Sequence, residues 1–386
     1  MRDSFKEIVD FIRELYNNPK DFVPLHAPVF QGNEKKYLNE CIDSTFVSSV
    51  GRFVTKFEEM VAEYTGAKYA VAVSNGTSGL QVALMLAGVQ PGNEVITQPL
   101  TFVATANAIK HVGAQPVFVD VDKDTMGLSS EKLIDWLKSN VKIDLKTNKP
   151  INKKTKKHIS ACVPMHTFGH PCKIDKIVEI CLQYYIPVVE DSAESLGSFY
   201  KEKHTGTYGL LGIFSFNGNK TITTGGGGMI ITDNEKLAKK AKHITTIGKV
   251  PHKWEYIHDI IAFNYRLANL NAALGVAQME QLDKFVENKR ETAEKYRLFF
   301  KGTGIELFKE PANSRSNYWL NVILLNDRNE RDKFLEFTNE NGVMTRPVWR
   351  LMNKLEMFKD CQIGNLCNAE WLKDRVVNIP SSIRVQ

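Results

Sequence analysis

Between about residue 45 and residue 250, short β-branched runs alternate with stretches of helical periodicity. Few folds accommodate that alternation. Residues 69–73, 94–97, 116–120, 159–164 and 187–190 read as strands. Residues 77–86, 104–111 and 130–139 read as intervening helices, the first with Leu80, Ala83, Leu84 and Ala87 on one face. Strands separated by helices imply a mainly parallel sheet covered on both faces. Ligands of such sheets bind beyond the carboxyl ends of the strands, where loops meet helix starts. Past residue 250 a long helical stretch (270–296), a strand (318–324) and a helix (331–340) describe a smaller α+β lobe.

The expected organisation is an α/β chain of three parts: an N-terminal helical extension (1–24), a large domain (25–250) and a smaller C-terminal domain (251–386). A length of 386 residues has room for this. Phe5, Ile8, Val9, Ile12, Leu15 and Tyr16 fall at helical spacing, so the leading segment reads as an amphipathic helix. It is either an arm, an oligomer contact or a helix packed on its own domain. Charged residues from Asp3 to Arg13 interrupt any signal-peptide core, and no apolar run is long enough to span a bilayer. Six scattered cysteines without a C-x-x-C pair read as reduced thiols, so the expected location is cytoplasmic.

The net charge of +6 is concentrated between Lys142 and Lys157. With no interleaved aromatics and strands on either side, that run reads as a solvated surface loop rather than a nucleic-acid arm. A general positive excess suits a substrate carrying a diphosphate. No helical H-x-x-x-H or H-E-x-x-H arrangement appears, so no metal is expected.

Lys220 ends the polar turn of residues 215–220, shortly before four glycines, Gly225 to Gly228, that read as a turn into a strand at 229–232. Asp191 follows the strand at 187–190. A lysine on a tight turn paired with a strand-end acid points to covalent chemistry with pyridoxal phosphate: the amine for a Schiff base, the carboxylate for the pyridinium nitrogen. Residues 74–79, between strand and helix, are either a phosphate cradle at the helix N-terminus or simply an N-cap. Phe102, at the ligand edge of the sheet, is either a ring-stacking residue or core.

Taken in order, seven segments resemble the DegT/DnrJ/EryC1/StrS sugar aminotransferase family over roughly residues 24–385. They are 75–80, 91–96, 101–105, 116–120, 190–194, 215–220 and 264–266. The resemblance implies the aspartate-aminotransferase-like architecture, fold type I of the pyridoxal-phosphate enzymes. It also implies that Lys220 forms the Schiff base and Asp191 pairs with the ring nitrogen. Thr77, Ser78, Ser215 and the Gly76 backbone would hold the phosphate, and Phe102 would stack on the ring. Asn264 matches a residue that reaches the phosphate from the neighbouring subunit, which implies a homodimer with shared sites. Many family members have Gln where this chain has Glu194, beside the ring, and the presence of Lys220 argues against the dehydratase branch, which has histidine there.

The reaction so implied is amino transfer from L-glutamate to a nucleotide-linked keto-sugar, giving an amino sugar for surface glycans. The acceptor expected is a 4-keto-6-deoxy sugar of the 2-acetamido kind. The leading helix and residues 345–349 resemble the branch making legionaminic-type precursors. Ser48, Ser49, His166 and Trp349 are the candidates for lining the sugar site. The competing readings are an elimination or dehydratase enzyme using the same cofactor, and a regulator that binds it without turnover.

Overall fold

The computed structural model describes residues 2–385. Seven strands form its central sheet: β1 (Tyr69–Val73), β2 (Glu94–Thr97), β3 (Gln115–Phe118), β4 (Ile159–Val163), β5 (Val189–Asp191), β6 (Leu211–Ser215) and β7 (Gly228–Thr232). Two hydrogen-bonded groups, β1-β7-β6-β5 and β3-β2-β4, are joined by parallel bridges at Cys162–Val188 and Met165–Asp191. Only β7 runs antiparallel to its neighbours.

Both faces of this sheet are buried, which is why its strands read as unbroken apolar runs. Successive side chains of a strand point to opposite faces. Val95, Ala161, Val163 and Ile230 therefore join the cluster built on Leu80, Ala83 and Ile109. Their chain neighbours Ile96 and Cys162 pack with Leu133, Ile174 and Ile177 on the other side. The parallel crossovers bring the carboxyl ends of β1, β2, β5 and β6 to one edge, followed by the helices Gly76–Leu86 and Val103–His111 and by the loop from residue 216 to 227.

The C-terminal part carries a four-stranded sheet of Glu306–Leu307, Asn321–Leu324, Val376–Ile379 and Arg346–Pro347. Two features differ from the sequence reading. The long helix is interrupted, as Asn269–Met279 and Leu282–Phe300, where Gln278 and Gln281 turn their amides onto the buried Glu34 carboxylate at 2.7 and 2.9 Å. The strand expected at 318–324 begins only at Asn321, because Tyr318 has φ +46° and cannot extend the ladder.

The helix Arg2–Leu15 is packed on this same lobe. Phe5, Ile8, Val9 and Ile12 are buried among Tyr296, Phe300, Phe334 and Val343, and Phe11 stacks on Phe299 at 4.0 Å. The basic run is no loose loop. Its first half forms a hairpin, Val141–Asp144 with Lys149–Asn152. Lys153 Nζ then donates to the carbonyls of Lys138 and Ser139 at 3.0 Å each, capping the end of helix Ser130–Asn140.

Because Ile12 is fully buried in that cluster, Ile12→Ala should cost about 2–5 kcal/mol in urea unfolding at unchanged activity. A dispensable arm would give a loss near zero.

Candidate active site

A cavity of about 230 Å³ opens at the carboxyl edge of the sheet, walled by Thr77, Phe102, Asp191, Ser215, Lys220 and Trp349. Its floor is the start of helix Gly76–Leu86. Asn75 caps that helix, its Oδ1 accepting the Ser78 N–H at 2.8 Å. The N–H groups of Gly76 and Thr77 precede any partner inside the helix, so the positive end of the helix faces the cavity. Gly76 also allows Ser215 to come close: a Cβ at residue 76 would lie 3.0 Å from Ser215 Cβ. The result is a cleft lined by backbone donors and by the Thr77 and Ser215 side chains. Ser78 departs from expectation. Its hydroxyl donates to the Asn75 carbonyl at 2.8 Å and meets Ser74 Oγ at 3.1 Å, and it is not part of the wall.

Asp191 ends β5, and its carboxyl is buried at that edge. Burial pushes its pKa up, opposed by the Thr105 hydroxyl, which donates to Oδ2 at 2.7 Å, and by the Ala193 N–H on Oδ1 at 3.2 Å. The preceding Glu190 points away from the cavity and is wholly buried. It accepts N–H groups of Gly206, Tyr208 and Gly209 at 2.6–2.8 Å and faces His166 Nε2 at 3.0 Å. Cys172 N–H donates to His166 Nδ1, so the proton sits on Nε2, toward Glu190. His166 is therefore a structural partner of β5. With no exposure it cannot line a sugar site, contrary to the sequence reading.

Lys220 lies in the loop between β6 and β7, next to β5 across the parallel pair. Its Nζ is 3.2 Å from Glu194 Oε1 and 4.0 Å from the centre of the Trp319 ring. Burial raises the Glu194 pKa to about 7, with the Lys220 ammonium and the Phe168 N–H opposing it. Trp319 escaped the sequence reading because it sits in an apolar run resembling a strand. Its N–H is taken by Asn317 Oδ1 and its indole donates to the Asn219 carbonyl at 2.7 Å, which turns the ring into the site. Thr105 was likewise given no role from sequence. Its place in the first turn of a helix that follows a sheet strand was the available signal.

Phe102 and Trp349 face each other across the cavity mouth, ring centres 6.2 Å apart. Half of Phe102 is exposed, so it is not a core residue. Besides Ser78 and His166, three expected residues are absent from the wall this chain builds for itself. Ser48 and Ser49 lie beyond it on an exposed segment, and Asn264 is exposed near the hairpin of Lys249–Val250 and Ile257–His258.

Residues 28–386 match the DegT/DnrJ/EryC1/StrS aminotransferase family. The chain belongs to that family. It is 39% identical over 360 residues to GDP-perosamine synthase of Escherichia coli O157:H7, covering 93% of each chain. A further GDP-perosamine synthase, from Vibrio cholerae, is 38% identical, with 87% of each chain covered. Among solved structures, the aminotransferase TlmJ of Streptoalloteichus hindustanus is 27% identical with a TM-score of 0.85 over 95% of both chains. Helicobacter pylori PseC, at 24% identity, shares the fold with a TM-score of 0.84 over 93% of this chain and 94% of its own.

The protein is thus a sugar aminotransferase of the transferase class, and its cofactor is pyridoxal phosphate. The aspartate-aminotransferase-like architecture expected from sequence is the one these structures have. The residues present fit that cofactor: a buried acid, a largely shielded amine lining the same cavity and a donor-lined helix start.

Removing the Thr105 donor should make Asp191 harder to ionise. Thr105→Val is expected to move the acid limb of the kcat/KM–pH profile up by about one unit. An unshifted limb would mean that Asp191 does not govern it.

Proposed function

We propose that this sugar aminotransferase moves an amino group from L-glutamate to a nucleotide-linked 4-keto-6-deoxy sugar of the 2-acetamido kind. The observation that carries the reading is that Lys220 and Asp191 line one cavity whose floor is a helix N-terminus. Pyridoxal phosphate, when bound, supplies the electron sink that lets a donor α-carbon release its proton. Asp191, held by Thr105 and Ala193, is placed to accept a proton shared with the ring nitrogen. The Gly76 and Thr77 N–H groups, with Thr77 and Ser215, would hold the phosphate. Phe102 would cover the ring, and Trp349 would meet the sugar. Lys220 is the general base and acid that takes and returns the proton at the substrate carbon.

Relatives named GDP-perosamine synthases support a nucleoside-diphosphate sugar as acceptor, and the mild positive charge agrees with it. The homodimer reading has its own support. Asn264 is exposed and outside the lining of its own cavity, on a segment with exposed Trp254, Tyr256, Ile260 and Ile261, an apolar surface that a second copy would cover. Ser48 and Ser49 lie beside exposed Phe46, Val47 and Val50 and would reach a site in the same way. No helix among the described residues is long and apolar enough to cross a membrane. A cytoplasmic enzyme fits nucleotide-sugar substrates and free thiols.

Incubation with glutamate and UDP-, GDP- or dTDP-linked keto-sugars should release 2-oxoglutarate together with an amino sugar. Failure with every common amino donor would sink transamination and leave elimination. Lys220→Ala should abolish the visible absorption of bound cofactor, and persistence of that band would overturn the role given to Lys220. For the dimer, sedimentation should give twice the chain mass, and Asn264→Ala should weaken cofactor retention without altering that mass.

A further inference from the structure

Glu194 is the buried group at this site whose chemistry the reaction above leaves unused. It lies three residues beyond Asp191, its side chain almost wholly buried, and each of its oxygens has a separate partner. Oε1 faces Lys220 Nζ at 3.2 Å, and Oε2 accepts the Phe168 N–H at 2.8 Å. We propose that Glu194 is the proton partner of Lys220: a carboxylate while the lysine is a free ammonium, and a buried carboxylic acid once the amine is engaged covalently. The proposal rests on the reading of Lys220 as the cofactor lysine.

The backbone around Phe168 is shaped for this contact. Phe168 has φ +56° and ψ +19°, a left-handed conformation that costs a residue with a Cβ about 1–2 kcal/mol. Strain of that kind persists where the surroundings over-determine it. Here the Phe168 ring packs on Trp349 at 4.9 Å. The next residue, Gly169, has φ +92°, and a Cβ there would meet Asn317 Oδ1 at 1.8 Å. The same Asn317 donates to the Glu194 carbonyl at 2.9 Å. The strained turn thus aims its N–H at Glu194, and the residue that locks the turn also locks the Glu194 main chain.

The electrostatics supply the exchange. Burial and the nearby Asp191 raise the Glu194 carboxyl to about 7, and Lys220 is the foremost influence in the opposite direction. Behind Lys220 lie His26 and Lys289, both pushed down by burial, and Trp319 offers its ring face to the ammonium. When Lys220 gives up its charge to form a covalent bond, Glu194 loses the cation that favours its ionised form. The step balances internally. One N–H bond of the Lys220 ammonium breaks, one O–H bond forms on Glu194 Oε1, and the amine keeps its electron pair for bond formation. Ion pair becomes neutral pair, so neither partner is left charged without the other. When the amino donor displaces it, the lysine leaves as the neutral amine that can take the substrate proton, and Glu194 keeps its own proton until the ammonium over Trp319 is restored.

The test uses the apoenzyme and the holoenzyme. Acetylation of Lys220 with acetic anhydride is followed by peptide mass spectrometry across a pH series in wild type and Glu194→Gln. Without the carboxylate the neutral amine is favoured, so Lys220 labelling near neutral pH should rise about tenfold or more. Superimposable profiles would overturn the proposal. In the wild-type holoenzyme, where the Lys220 cation no longer holds Glu194 down, the visible absorption of the cofactor should titrate with a midpoint above pH 7, and in Glu194→Gln that transition should be absent. A wild-type spectrum flat through that range would overturn the proposal even if the variant failed to fold. Failure of the underlying reading is seen separately, as cofactor absorption that survives Lys220→Ala.

Discussion

Three carboxylates are buried within five residues of chain, Glu190, Asp191 and Glu194, and the layout of the site follows from keeping each of them satisfied. A carboxylate out of water costs several kcal/mol unless donors replace its hydration. Glu190 draws its donors from the turn before β6 and from His166. Asp191 draws on the helix after β2 through Thr105. Glu194 takes the Phe168 N–H and the Lys220 ammonium. Satisfying all three requires β6 beside β5, the Val103–His111 helix above β5, and the Lys220 loop folded over both. The packing that solves the electrostatic problem is the packing that assembles the active site.

Asn317 extends this arrangement into the C-terminal part. Its side chain meets the carbonyls of Glu194 and Leu196 and the hydroxyl of Thr221, next to Lys220, while its oxygen receives the Trp319 N–H. One buried amide therefore fixes the acid, the lysine loop and the aromatic platform relative to each other. Lys289, wholly buried, adds a second tie by donating to the carbonyls of Trp319 and Ser381.

What was legible in the sequence and what was not divide along physical lines. The strands were visible because burial on both sheet faces demands continuous apolar runs, and boundaries differed by a residue or two, as at Val189–Asp191. Lys220 and Asp191 were singled out for the pairing of an amine on a polar turn with an acid at a strand end, each having a common structural use alone, and both line one cavity. Trp319 was hidden by its neighbours: residues 318–324 have strand composition, but the contact between Asn317 and the distant Glu194 carbonyl bends the first of them out of the sheet. His166 was misread because a residue just past a strand can face either the cavity or the core, and only the buried charge on Glu190 decides it. Ser78, expected at the phosphate, turns its hydroxyl to the Asn75 carbonyl, since hydroxyls at helix starts serve the local backbone as readily as a ligand.

Lys220 as the amine that holds the cofactor is the assignment on which every other role at the site depends. Borohydride reduction of the holoenzyme followed by peptide mapping tests this directly, because it locks the cofactor onto whichever lysine carries it. A single pyridoxyl group on the peptide containing Lys220 is the expected result. Its appearance on another lysine, such as the neighbouring buried Lys289, would contradict the assignment of the site.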